Sequence, residues 1–187
     1  MSGQVFGLHG VMAGERDIDE LMRRFDALSA ALSLDSVPPR QRHTSAARGV
    51  SHGYARAGAP TLDVLLGVDA GQTHLLIHED RDAFEPYDLA LVVEWFTGLC
   101  DISNPLFARA YCRASLDGIA IGEAEDRPRH LTWWQYLGPA MTARMGHMSL
   151  LFGPYVRVDP RDTGGCVVWT SSQPTDVEIA VPAPTTP

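Results

Sequence analysis

Apolar residues recur along this chain with two periods, close to two and close to four, and the alternation between them outlines its elements. Val5 to Met12 (V-F-G-L-H-G-V-M) alternates loosely over a short run, which fits a first strand. Asp17 then opens a helix, and Glu20 three residues on completes a D-x-x-E arrangement of the capping-box kind. Ile18, Leu21, Met22, Phe25, Leu28 and Leu32 follow at spacings of three and four and form one apolar stripe. The helix is expected over about residues 17 to 34. Residues 35–60 break the rhythm: Pro38-Pro39, three glycines and Pro60 punctuate a stretch with few large apolar side chains, which reads as a long loop with room for a short element near Val50 to Tyr54.

Thr61 to Val68 and Thr73 to Glu79 are strand-like and flank Asp69-Ala-Gly-Gln, a hairpin signal. In the second run His74, Leu76 and His78 share one face, and the two histidines are read as half-exposed. Two histidines four residues apart in a strand lie ~13 Å from each other, too far to share a metal. The acidic turn from Glu79 to Glu85 leads to a second helix beginning near Pro86, with Leu89, Val92, Val93, Phe96, Leu99 and Cys100 as its buried stripe. Leu91 and Trp95 lie beside that stripe. They either pack beneath another element or form a patch for a partner. Pro105 ends the helix, and Phe107 to Cys112 reads as a strand.

This order, β-α-β-β-α-β, is the ferredoxin-like one, and the predicted fold class is α+β with that core. A C-terminal extension follows: an aromatic strand (H-L-T-W-W-Q-Y-L), a short helix opened by Pro139 and closed by Gly146, and a hairpin turning at D-T-G-G. It is expected to cover the helix-free face of the sheet. In a strand, Trp133 and Trp134 point to opposite faces, so at most one meets a partner. Residues 1–172 are expected to form one domain, with 173–187 as a disordered Pro/Thr-rich tail.

Composition adds exclusions. No run approaches the ~18 apolar residues of a membrane span, and the N-terminus lacks a secretory signal, so the expected location is the cytoplasm. All 15 basic residues are arginine, against 23 Asp and Glu, giving a net charge of −8. That balance opposes nucleic-acid and anionic-membrane binding and suits a basic partner protein. Cys100, Cys112 and Cys166 show no metal-ligand spacing and read as buried thiols, and the seven histidines are scattered. G-x-S-x-G, H-E-x-x-H, Walker and G-x-G-x-x-G motifs are all missing from the sequence. No catalytic residue, metal or cofactor is expected.

Leu131-Thr-Trp-Trp-Gln-Tyr-Leu-Gly-Pro, Met145-Gly146 and Asp162-Thr-Gly-Gly-Cys-Val-Val-Trp resemble the C-terminal segments of immunity proteins from bacterial polymorphic-toxin and type VI secretion systems. The first strand and helix, and the D-x-x-N-P-x-F turn ahead of Phe107, fit the same pattern, although the tryptophan expected before the first glycine turn is missing. The resemblance implies a non-enzymatic protein that binds a cognate toxin in the producing cell and covers its active site. Asp80, Asp82, Glu85, Leu91, Trp95 and Trp133 are the residues read as candidates for partner contact, together with the 35–60 stretch. The alternative is a small-ligand or regulatory module on a ferredoxin-like sheet.

Overall fold

The computed structural model describes residues 5–39, 48–69, 71–113, 130–145, 157–175 and 179–180. β1 spans Val5–Met12 and α1 Ile18–Ala31. The Asp17 side chain caps α1 by accepting a hydrogen bond from the Glu20 backbone N–H at 3.0 Å, as the D-x-x-E spacing suggests. Leu21, Met22, Phe25 and Ser29 form its buried face.

The stretch read as a long loop holds two strands, β2 (Asp35–Val37) and β3 (Arg48–Ala55), while residues 40–47 lie outside the described residues. In β3 only Val50, His52 and Tyr54 face the helices, and the alternate positions are Gly49, Ser51 and Gly53. So sparse a pattern carries little local signal. Pairing with the next strand from Arg48↔Val68 to Tyr54↔Leu62 is what fixes β3.

β4 (Leu62–Asp69) and β5 (Gln72–Asp80) make the expected hairpin. The acidic turn after it is a one-turn helix, α2 (Arg81–Phe84), anchored by buried Phe84 standing edge-on to Phe6 at 4.6 Å. α3 covers Leu89–Ser103 and starts later than Pro86. Asp88 caps it through the Ala90 N–H, and buried Tyr87 is held outside it by donating its hydroxyl to the Pro60 carbonyl at 2.6 Å. Asn104, with φ of 47°, ends the helix in the left-handed region ahead of Pro105.

β6 (Phe107–Arg113) follows. The chain continues through β7 (His130–Leu131), β8 (Trp134–Leu137), α4 (Pro139–Met145), β9 (Arg157–Pro160), β10 (Cys166–Trp169) and β11 (Ile179–Ala180). β11 pairs with β7, so the region expected to be a disordered tail contains a paired strand. Residues 114–129 lie outside the described residues, as do Gly146 and 181–187.

The architecture is mixed α/β around one large antiparallel sheet of nine strands, in the order β2-β3-β4-β5-β1-β6-β8-β10-β9. β4, β5, β1 and β6 are consecutive in it, but strands continue on both sides, so the expected four-stranded sheet is corrected to nine. The cause lies at β6. Its open edge pairs with β8, from Phe107↔Leu137 to Ala110↔Trp134, and the C-terminal strands widen the sheet where they were expected to cover it.

α1 and α3 share one face. Their buried residues join Phe6, Leu8 and Met12 of β1, Val64, Leu66, Leu75 and Ile77 of the hairpin, and Trp134 and Tyr136 of β8 in the main core. On the other face Met141 of α4 packs with Val11, Phe107, Leu137, Cys166 and Val168 in a second, smaller cluster. All three cysteines are buried thiols. No helix among the described residues is long and apolar enough to cross a membrane.

Nine strands at ~4.8 Å spacing span roughly 38 Å, whereas two helices of ~10 Å diameter cover only about half of that. α1 lies against β2, β3 and α3, and α3 against β1. β10 and β9 therefore project past α3 on the helical face.

Candidate functional site

That overhang creates a groove of about 700 Å³. Its inner wall is the side of α3 turned away from the core. With Val92, Trp95, Phe96, Leu99 and Cys100 pointing inward, Ala90, Val93, Glu94, Thr97 and Gly98 form the adjoining face. Leu28 of α1 leans over Gly98 and closes one end. The floor is Val167 and Trp169 of β10, and the outer wall is Arg157 and Asp159 of β9 with Arg161.

Strand register explains this set. Trp134 faces the main core and lies opposite Trp169, which lies opposite Arg157, while Tyr136, Val167 and Asp159 form the neighbouring row. All of these side chains point to the helical side. Half-buried Trp169 is fixed from three directions. Its indole N–H donates to Asp159 Oδ2 at 3.1 Å, its ring meets Trp133 edge-on at 6.1 Å, and the Arg157 guanidinium lies 5.9 Å over it.

Arg157 Nε also donates to Asp159 Oδ1 at 2.6 Å. Arg161 forms a fork on Asp101 at 2.5 and 3.2 Å, tying the hairpin turn to the last turn of α3. The hydrogen bond to Asp101 above all raises the Arg161 pKa above its already high ordinary value, so the guanidinium stays charged. Each arginine is thus matched by a carboxylate. Exposed Glu94 makes no hydrogen bond or ion pair among the described residues.

A second polar cluster lies on the opposite face of the sheet. His9 of β1 stands opposite Arg109 of β6, and Arg109 opposite Gln135 of β8. His9 Nε2 and His74 Nδ1 are 3.4 Å apart with their rings nearly parallel, and both side chains are buried. The expectation that His74 is half-exposed is corrected by this stacking against β1. Burial above all, with Arg109 and His74 adding to it, pushes the His9 pKa down to about 3. Gln135 is fully buried, and neither polar atom of its amide has a hydrogen-bond partner among the described residues. Among the described residues no group of three or more His, Cys, Asp or Glu side chains is placed to hold a metal ion.

None of the six residues singled out from the sequence lines the groove. Trp95 is fully buried and donates its indole N–H to Ser29 Oγ at 3.0 Å, so it belongs to the α1–α3 interface and not to a surface patch. Leu91 is half-buried against the same core. Trp133 and Trp134 are both fully buried, so neither faces a partner, but both join the main core where opposite faces were expected. The reason is a bend: β8 begins only at Trp134, and the turn at Thr132–Trp133 swings the Trp133 ring onto Phe6, 5.7 Å away. Asp80 closes β5 opposite Val5, Asp82 is exposed within α2, and Glu85 is exposed just after it. Glu85 borders a smaller hollow of about 210 Å³ with Phe84, Tyr87 and Leu89. Glu94, Arg157, Asp159 and Trp169 escaped the sequence reading as a site because only the register of β8, β10 and β9 brings them to α3.

No family model matches this chain, and no curated protein matches it. Among solved structures the fold is similar to the Pseudomonas aeruginosa T6SS protein PA0821, with a TM-score of 0.53 and 13% sequence identity. The match covers 93% of this chain and 66% of that one, so this chain spans just under two thirds of its length. At this identity the likeness is one of fold.

Proposed function

We propose that this protein is an immunity protein of a type VI or related polymorphic-toxin system. In this reading it acts in the cytoplasm of the producing cell, binds a cognate toxin and blocks it by covering its active site, with no chemistry of its own. The observation that carries the reading is the fold likeness over nearly the whole chain to a protein described as belonging to a type VI secretion system. The C-terminal motifs resemble immunity proteins independently of that fold. We also read β4, β5, β1 and β6, neighbours in the order the ferredoxin-like arrangement requires, as the unit on which the wider sheet is built.

The physical features suit a binder. The net charge of −8 favours fast, steered association with a basic partner. The groove is open between a helix and an edge hairpin, a shape for a protein surface more than for enclosing a small molecule. The test is co-expression with the toxin encoded beside this gene. Restored growth and a co-purifying one-to-one complex are expected. Growth arrest with no complex at micromolar concentrations refutes the reading.

A further inference from the structure

Resting on the toxin-binding reading, we propose that the partner docks in the groove between α3 and the β9–β10 hairpin. The segment that enters it presents an arginine or lysine beside apolar side chains. Leu28, Leu89, Val93 and Trp169 line the groove half-buried, an apolar surface that the chain's own helices leave uncovered. Trp169 is already locked by Asp159, Trp133 and Arg157, so docking against it costs little further ordering. Tryptophan and arginine set centrally in a groove are the residue types that dominate binding energy at interfaces.

Charge selects the occupant. Arg157 is answered by Asp159 and Arg161 by Asp101, which leaves Glu94 as the unmatched charge on the wall. α3 itself carries Glu94 and Asp101 and no basic residue. A cation entering beside Glu94 gains an ion pair, whereas an acidic segment meets the unmatched Glu94 while both arginines of the wall are already paired.

The experiment measures affinity of the purified toxin for the full chain carrying Glu94→Arg, Glu94→Gln, Thr97→Trp or, as a control, Arg23→Glu on the exposed face of α1. Circular dichroism and melting curves verify that each variant is folded. Glu94→Arg and Thr97→Trp are expected to weaken binding at least about tenfold, Glu94→Gln a few-fold and Arg23→Glu less than twofold. A Lys/Arg→Glu scan of the toxin is expected to yield a variant that binds Glu94→Arg better than it binds the unaltered chain. If the unaltered complex forms but Glu94→Arg and Thr97→Trp bind within twofold of it, the groove is not the docking site and the toxin-binding reading stands. A loss for Glu94→Arg mirrored by a comparable tightening for Arg23→Glu points to bulk charge and likewise overturns the groove. If no complex forms, both readings fall together.

Discussion

Ser29 and Trp95 lie far apart in sequence, yet their side chains meet at 3.0 Å where α1 crosses α3, with both residues fully buried. Removing the hydroxyl strands the indole N–H in an apolar interior, so Ser29→Ala is expected to cost about 1–3 kcal/mol, read from urea unfolding. A change below ~0.3 kcal/mol would mean that the indole N–H finds another acceptor. His9 gives the protein a pH dependence of definite sign. Its ordinary pKa of 6.5 falls to about 3 in the folded chain, so the native state keeps it neutral. The contribution is whole above pH 6.5. As pH falls toward 3, the unfolded chain takes up a proton that the native state refuses, and stability drops. Between pH 8 and pH 5, where most carboxylates stay ionised, His9 is expected to account for a loss of about 2 kcal/mol. His74, also shifted downward by burial, acts in the same direction. His9→Leu should flatten the stability profile over that range, and an unchanged slope would show that His9 is not its source.

Among the elements, the first strand, both long helices, the β4–β5 hairpin and β6 are legible because their signals are local: a cap, a stripe, a turn, an alternation. Asp17, Pro105 and Gly71, with its φ of +76°, mark boundaries by chemistry that needs no distant partner. β3 is legible only as a short element near Val50 to Tyr54, because Gly49, Ser51 and Gly53 give it an empty face. The groove is obscure because it exists only through the pairing of β6 with β8 and of β8 with β10. That pairing depends on one close approach. Gly138, between β8 and α4, donates its N–H to Leu106 O at 3.0 Å, and any Cβ there would overlap the Pro105 carbonyl oxygen. Gly138→Ala is therefore expected to destabilise the protein by about 2–3 kcal/mol, by forcing the start of β6 away from the end of β8. A melting temperature within 1 °C of the unaltered chain, the change expected for less than ~0.3 kcal/mol, would show that the turn relaxes freely.

For the whole molecule, the sequence conveyed which segments alternate and which coil, but not how wide the sheet they build becomes. Trp95 and Trp133 illustrate the limit. Large aromatics beside a polar face look like partner anchors until the packing of α1 on α3, and the bend before β8, place both in the core. Trp169 reads as one more hairpin residue until the sheet outgrows its helices.

That overhang of β10 and β9 divides the chain between two selective pressures. Glu94, Thr97 and Arg157 line the groove outside the buried core, while Trp95 and Trp134 are fully buried and do not line it. A lineage can therefore revise what the groove recognises, one substitution at a time, while folding proceeds unchanged. On the toxin-binding proposal, a scaffold that separates recognition from stability can keep pace with changing toxins without passing through an unfolded ancestor.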